Sequence, residues 1–190
     1  MQPRIEIYHA DVFEGLSLAI DTILKRPFKG DVLAFGSTVL WSYGGRAPSD
    51  LDLVVNPETW NDFLESGIFE LAPSPSGEGD SLRTEVDQVQ IEVFTCWPYI
   101  SYKSLWTNAS RFAIRGLLGS LYNLCLYKYG AVELRANKDE PLGSDLKHLV
   151  DLIYILETHP ELFTVLPPNA ISVIISQAKL NGVTVNWAGV

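Results

Sequence analysis

No stretch of the chain holds the roughly 18 to 20 consecutive apolar residues that a membrane-crossing helix needs, and the opening residues MQPRIEIYHAD lack the apolar core of a secretion signal. A soluble, cytoplasmic protein without a membrane partner is the expectation. Cysteine is scarce. Cys96 and Cys125 are the only two, in a strand end and a helix interior by local pattern, and they predict free, mostly buried thiols rather than a disulfide framework. The three histidines, His9, His148 and His159, are scattered over a predicted strand end, a helix surface and a helix boundary. That spacing indicates neither a zinc site nor a Ser-His-Asp arrangement. Positive charge is also short. Fourteen Lys and Arg stand against 23 Asp and Glu, a formal charge of -9. An extended nucleic-acid surface is therefore not expected, because nonspecific affinity for phosphates comes from basic residues releasing counterions. The segment from Gly30 to Gly36 has no lysine of the phosphate-loop kind, and no Gly-x-Gly-x-x-Gly occurs, so neither a P-loop nor a dinucleotide fold is indicated.

Long Ser, Gly or Gln tracts are missing too, and 47% of the residues are hydrophobic, so the chain can build a core. A chain of 190 residues buries about 70% of the surface its unfolded form exposes. Asp11 and Glu14 resemble a capping box, and Phe13, Leu16, Ile20, Ile23 and Leu24 then recur at helical spacing, predicting a helix over 11–26. Val32 to Phe35 is a short apolar run suited to a strand buried on both faces. A short helix over 37–43, a turn from Gly44 to Pro48 and a strand over 51–55 follow. The pattern continues with a helix over 57–65, a strand over 68–71, a surface loop over 73–80 and a strand over 89–95. From Leu117 the period becomes helical, with helices near 117–129, 145–157 and 168–180. The expectation is an α+β fold in two parts: a core over 1–115 with a mixed β-sheet flanked by helices, and a helical C-terminal region over 116–190 packed on it.

Chemistry concentrates at three places. Residues two apart in a strand point to the same side, so Asp50 and Asp52 share one face, about 7 Å apart, while Leu51 and Leu53 face the other way. Glu92 lies within Val89-Gln90-Ile91-Glu92-Val93, an acid on one face of another strand. If the two strands pair, three carboxylates converge, and their repulsion calls for a cation. Hard oxygen ligands suit Mg²⁺ or Mn²⁺, and two such ions about 4 Å apart can serve an in-line displacement at phosphorus. Gly36-Ser37 ends a buried strand and opens a helix, so backbone N–H groups and the Ser37 hydroxyl can face an anion.

The order of these elements, Phe35-Gly36-Ser37, then Asp50-Leu51-Asp52-Leu53, then Ile91-Glu92-Val93, resembles the signature of the nucleotidyltransferases of the DNA polymerase β superfamily. The motifs span residues 31–95, about a third of the chain, and the helical remainder is more loosely similar to the small bacterial members related to toxins and resistance enzymes. The resemblance implies that Asp50 and Asp52 bind metal, that Glu92 is a third ligand or the base for an acceptor hydroxyl, and that Gly36 and Ser37 hold a triphosphate. It implies a magnesium-dependent enzyme that moves a nucleoside monophosphate from a nucleoside triphosphate to a small-molecule, protein or RNA hydroxyl. A non-catalytic nucleotide-binding module and a tRNA-modifying toxin are the alternatives.

Lys128 ends a stripe formed with Leu117, Leu121 and Leu124, which places an ammonium on an apolar helix face. Either it reaches an anion, and the resemblance implies a triphosphate contact, or its stem snorkels to water. Lys147 and Asp151 have the spacing of an ordinary i,i+4 pair. Arg46, just before the aspartates, either steadies phosphate or caps the turn.

Overall fold

Strand β1 (Val32–Ala34) is buried along its whole length, as a strand with apolar side chains on both faces must be. A computed structural model describes residues 32–74, 79–86, 88–107, 109–111, 117–137, 142–185 and 187. The expected helix over 11–26 lies outside the described residues. After β1 come α1 (Ser37–Ser42), β2 (Asp50–Val55), α2 (Pro57–Glu65), β3 (Glu70–Pro73), β4 (Asp80–Val86) and β5 (Val89–Phe94). The chain continues with α3 (Tyr102–Trp106), β6 (Ser110–Arg111), β7 (Leu117–Leu118), α4 (Leu121–Ala136), α5 (Leu146–Thr158) and α6 (Ala170–Leu180). Short 3-10 turns at Gly143–Asp145 and Pro160–Val165 flank α5. The class is α+β, with a mixed sheet and flanking helices.

The chain divides into two compact units, Met1–Leu121 and Tyr122–Val190. In the first, the seven strands of the described sheet run in the order β3-β4-β5-β2-β1-β7-β6. Pairs β2·β5 and β1·β7 are parallel, and the other four are antiparallel. Register decides which side chains share a face, because a slip of one residue would invert every strand. Asp50, Asp52 and Val54 align with Gln90, Glu92 and Phe94, while Leu51 and Leu53 align with Ile91 and Val93. Leu51, Leu53, Ile91 and Val93 are all essentially inaccessible, and Leu82 from β4 joins them opposite Val93. Apolar alternation therefore drives one face of β2 and β5 into the core and leaves the acids on the other.

Local signals account for the connections. Asn56 caps α2 by accepting from the Thr59 N–H at 2.8 Å, with Pro57 in the first turn where its missing N–H costs nothing. Phe63 on that helix stacks on Phe69 at 5.0 Å between ring centroids. Ser101 caps α3 in the same way, accepting from the Ser104 N–H.

Three expectations change. The loop over 73–80 is followed by β4, a strand that went unread because Asp80, Ser81, Arg83, Thr84 and Glu85 hide the single inward Leu82. The predicted strand over 68–71 sits slightly later, at Glu70–Pro73, as the antiparallel partner of β4. Leu117 and Leu118 form β7 beside β1 rather than the start of a helix, and α4 begins at Leu121 and runs to Ala136. Leu117 is thus no part of a helical stripe with Lys128.

In the second unit, α5 buries His148, Leu149, Asp151, Leu152, Ile153, Ile155 and Leu156. Arg135 on α4 pairs with Asp145 at 2.8 Å, and Asn181 accepts the Leu142 N–H while donating to the Gln177 carbonyl. No described helix is long and apolar enough to cross a membrane.

Candidate functional site

The site face of the sheet is assembled by two registers. Parallel pairing of β2 with β5 sets Asp52 beside Glu92, and antiparallel pairing of β5 with β4 sets Glu92 beside Arg83. A row Asp52, Glu92, Arg83 therefore crosses three strands on one side, with Asp50 one pleat along from Asp52. Asp50, Asp52 and Glu92 are each partly exposed, as acids on a solvent-facing pleat should be. Ser49 donates weakly to Asp50 at 3.5 Å.

The end of β1 enters the same place. The Phe35 N–H donates to the Asp52 carbonyl at 3.0 Å, which carries the strand one residue past Ala34 alongside β2. Gly36 then turns with φ +60° and ψ -136°, a combination essentially restricted to glycine. A Cβ at Gly36 would collide with the carboxylate of Asp52: its Oδ2 lies in the space that carbon would fill, and its Cγ would be 3.2 Å away. The Gly-Ser bend and the second aspartate of the Asp-Leu-Asp motif are thus in direct contact. Ser37 is 7% exposed, and the Thr38 hydroxyl is buried without a hydrogen-bond partner. Helix α1 has only six residues and no side-chain cap.

Beyond the acids the same face becomes apolar. Leu33, Phe35 and Val54 are fully buried there, and Trp97 packs edge-on against Phe35 at 4.9 Å and Phe94 at 5.2 Å. The acids sit at one end of a face whose other end is an aromatic wall.

Sequence reasoning missed Arg83. Its Nε lies 2.6 Å from Glu92 Oε1, a close ion pair in which the N–H points off the oxygen and makes no hydrogen bond. Arg83 Nη2 donates to the Pro73 carbonyl at 3.0 Å, and Gln90 donates to the same Glu92 Oε1 at 3.2 Å. The signal was present in the sequence only once β4 was recognised as a strand, since strand parity then puts Arg83 on the face of the acids. The convergence of carboxylates had called for a cation, and for Glu92 the chain supplies one.

Among the described residues no three His, Cys, Asp or Glu side chains close to the distances of an all-protein metal cage. The donor set still fits a Mg²⁺ or Mn²⁺ ion held by one or two carboxylates, with water and phosphate oxygens as its other ligands. The lack of a side chain at Gly36 is what lets the Asp52 carboxylate lie against the bend.

Lys128 belongs to the second unit and has a different environment. It is 3% exposed, so its stem does not snorkel to water. Its ammonium lies 2.7 Å from Asp151 Oδ2 and 3.2 Å from His148 Nδ1, and 5.7 Å from the centre of the Tyr127 ring. The anion this lysine requires comes from α5. Asp151, also 3% exposed, turns inward to Lys128 rather than lying along the surface of its own helix toward Lys147. His148 is buried, not on a helix surface, and burial above all, then the Lys128 charge, lowers its pKa to about 4. It is therefore neutral near pH 7, accepting at Nδ1. Cys125 is buried, with its thiol pushed up to about 12 by desolvation, whereas Cys96 is exposed, contrary to expectation. Arg46 is exposed on the loop before β2.

Comparison with known protein families, with curated proteins and with solved structures finds no match to this chain.

Proposed function

We propose that the chain is a metal-dependent nucleotidyltransferase of the polymerase β type, moving a nucleoside monophosphate from a nucleoside triphosphate to a hydroxyl acceptor. The observation that carries this reading is the contact between Gly36 and the Asp52 carboxylate, together with the ladder position of Asp52 beside Glu92. Separated by 16 and 40 positions in the chain (52 − 36 and 92 − 52), these residues have no reason to meet on sequence proximity alone. A solvated acidic face would not also require a glycine with φ +60° against one of its carboxylates.

In this reading Asp50 and Asp52 hold Mg²⁺ or Mn²⁺, and a bound ion supplies positive charge to the triphosphate and to the departing pyrophosphate. Gly36, lacking a side chain, lets the Asp52 carboxylate lie against the bend, with the Ser37 backbone N–H at the same place to receive phosphate. The acceptor oxygen forms a new bond to the α-phosphorus while the bond to pyrophosphate breaks, and the hydroxyl proton leaves to a nearby carboxylate or to water. The protein's contribution is positioning and charge neutralisation. Lys128 takes no part, because using it would break its buried pair with Asp151. The acidic composition favours a small-molecule or protein acceptor over an extended nucleic acid.

The test is Asp52→Asn, assayed for pyrophosphate release with each of the four nucleoside triphosphates and Mg²⁺ in a cell extract that supplies acceptors. Transfer should fall by about 10²–10³-fold, the scale on which removing one charge-stabilising group acts. The fold should be retained. Unchanged transfer in the variant would remove the assignment.

A further inference from the structure

Just beyond β5, residues Trp97 to Ile100 close a tight turn in which the Ile100 N–H donates to the Trp97 carbonyl at 3.3 Å. Pro98 stands at its first corner, and Tyr99 at the second has φ +63°. That is the pattern of a type II turn, whose second corner is ordinarily glycine because a side chain there crowds the backbone. Asn and Asp tolerate the left-handed region, but a tyrosine is poorly suited to it. Trp97 and Ile100 are each 8% exposed, so the ends of the turn are pinned in the core, whereas Tyr99 is 53% exposed. A large ring is thus held in a strained backbone position with more than half of its surface in solvent. The core gains little from that choice and the backbone loses by it. Strain of this kind persists where function selects the side chain.

The turn lies beside the acidic face. The Trp97 indole packs edge-on against Phe35 at 4.9 Å and Phe94 at 5.2 Å, and Phe35 immediately precedes the Gly36 bend. Tyr99 is two residues from Trp97, so their Cα atoms are within about 7 Å of each other. It is the exposed corner of a turn whose buried end belongs to the aromatic wall. Tyr102, 45% exposed, differs, because it sits in regular helix and its ring meets Trp106 of the same helix at 5.9 Å. A nucleoside triphosphate with its phosphates at the bend has one more large group to place, a flat aromatic base. A base stacks on an aromatic side chain whatever its hydrogen-bonding edge.

We propose that Tyr99, presented by the Trp97–Ile100 turn, is the stacking platform for the base of the nucleoside triphosphate. The proposal rests on the nucleotidyltransferase reading and adds to it the place of the base. Stacking supplies affinity and leaves the edge of the base unread, so this contact alone serves all four triphosphates.

The test is calorimetric titration of the full chain in Mg²⁺ with each of the four nucleoside triphosphates and with inorganic tripolyphosphate, which has no base. Glycine suits the left-handed backbone, so Tyr99→Gly should keep the fold. It should weaken nucleoside triphosphate binding by about tenfold and leave tripolyphosphate within about twofold of the parent. Tyr99→Phe keeps the ring and should bind the nucleotides within about twofold of the parent. Equal nucleotide affinity in Tyr99→Gly and the parent would remove Tyr99 from the site and leave the nucleotidyltransferase reading in place. A parallel loss for tripolyphosphate would mean that the turn supports the phosphate end, and would overturn the stacking role. If Tyr99→Gly weakens binding of a single-stranded oligonucleotide but of no triphosphate, the ring serves an acceptor base and the proposal is wrong. If the parent binds neither triphosphates nor tripolyphosphate, the underlying reading fails and the proposal with it. Should Tyr99→Gly not fold, Tyr99→Leu decides: it keeps bulk without an aromatic face, and undiminished nucleotide affinity in it overturns the proposal.

Discussion

Replacing Asp151 with leucine would leave the Lys128 ammonium buried in the second unit without its carboxylate, and the consequence can be worked from the geometry. Both side chains are 3% exposed and 2.7 Å apart, so neither is solvated and neither can swing to water without opening the contact between α4 and α5. Breaking a buried pair from one side costs about 3–5 kcal/mol, because the remaining charge keeps its desolvation penalty and loses its attraction. With a urea dependence of roughly 1–3 kcal/mol per molar, the midpoint of unfolding should fall by about 2 M. Circular dichroism at 222 nm across a urea series, on the parent and Asp151→Leu, measures this directly. The double replacement Lys128→Met with Asp151→Leu removes both charges and should recover most of the loss. A deficit of about 1–3 kcal/mol should remain, since His148 Nδ1 then lacks the donor that stood 3.2 Å away. A single replacement costing less than about 1 kcal/mol would refute the reasoning, since it would mean the lysine finds solvent that the geometry denies it.

Further outcomes follow from other residues. Gly36→Ala should destabilise by about 1–3 kcal/mol from its positive φ alone, and its new methyl should displace the Asp52 carboxylate, lowering Mn²⁺ affinity and transfer together. Chemical denaturation and a Mn²⁺ titration read the two effects separately. Stability should also fall as the solution is acidified. His148 titrates near its ordinary value of 6.5 in the unfolded chain but at about 4 when folded, so the unfolded state binds more protons between those values. Its neutral, buried form is therefore fully tolerated above about pH 6.5 and is opposed progressively as pH falls toward 4, by a total on the order of 3 kcal/mol. His148→Phe should flatten that part of the stability curve in a pH series of urea melts, and an unaltered slope would show that another group is responsible.

The sequence by itself determined the elements whose pattern is unambiguous over a few residues. Asn56-Pro57 started α2, the wholly apolar Val32 to Ala34 could only be a two-sided buried strand, and Leu51, Leu53, Ile91 and Val93 fixed which faces of β2 and β5 go inward. That alternation is local, so it also placed Asp50, Asp52 and Glu92 on outward faces. Whether those faces belonged to neighbouring strands was a matter of pairing, and pairing depends on contacts between residues far apart in the chain. Only the tertiary structure set Asp52 beside Glu92 and brought the Gly36 bend against the Asp52 carboxylate. It also supplied what no local pattern announced. β4 carries a single buried apolar side chain among polar ones, so its existence is enforced by hydrogen bonding to β3 and β5 rather than by its own periodicity. With it came Arg83, the counter-charge to Glu92. Lys128 and Asp151 illustrate the same division: each was visible as a charge at helical spacing, but a buried ion pair is a property of two helices in contact. A charge's partner is chosen by distance in space, and a one-dimensional reading sees only distance along the chain.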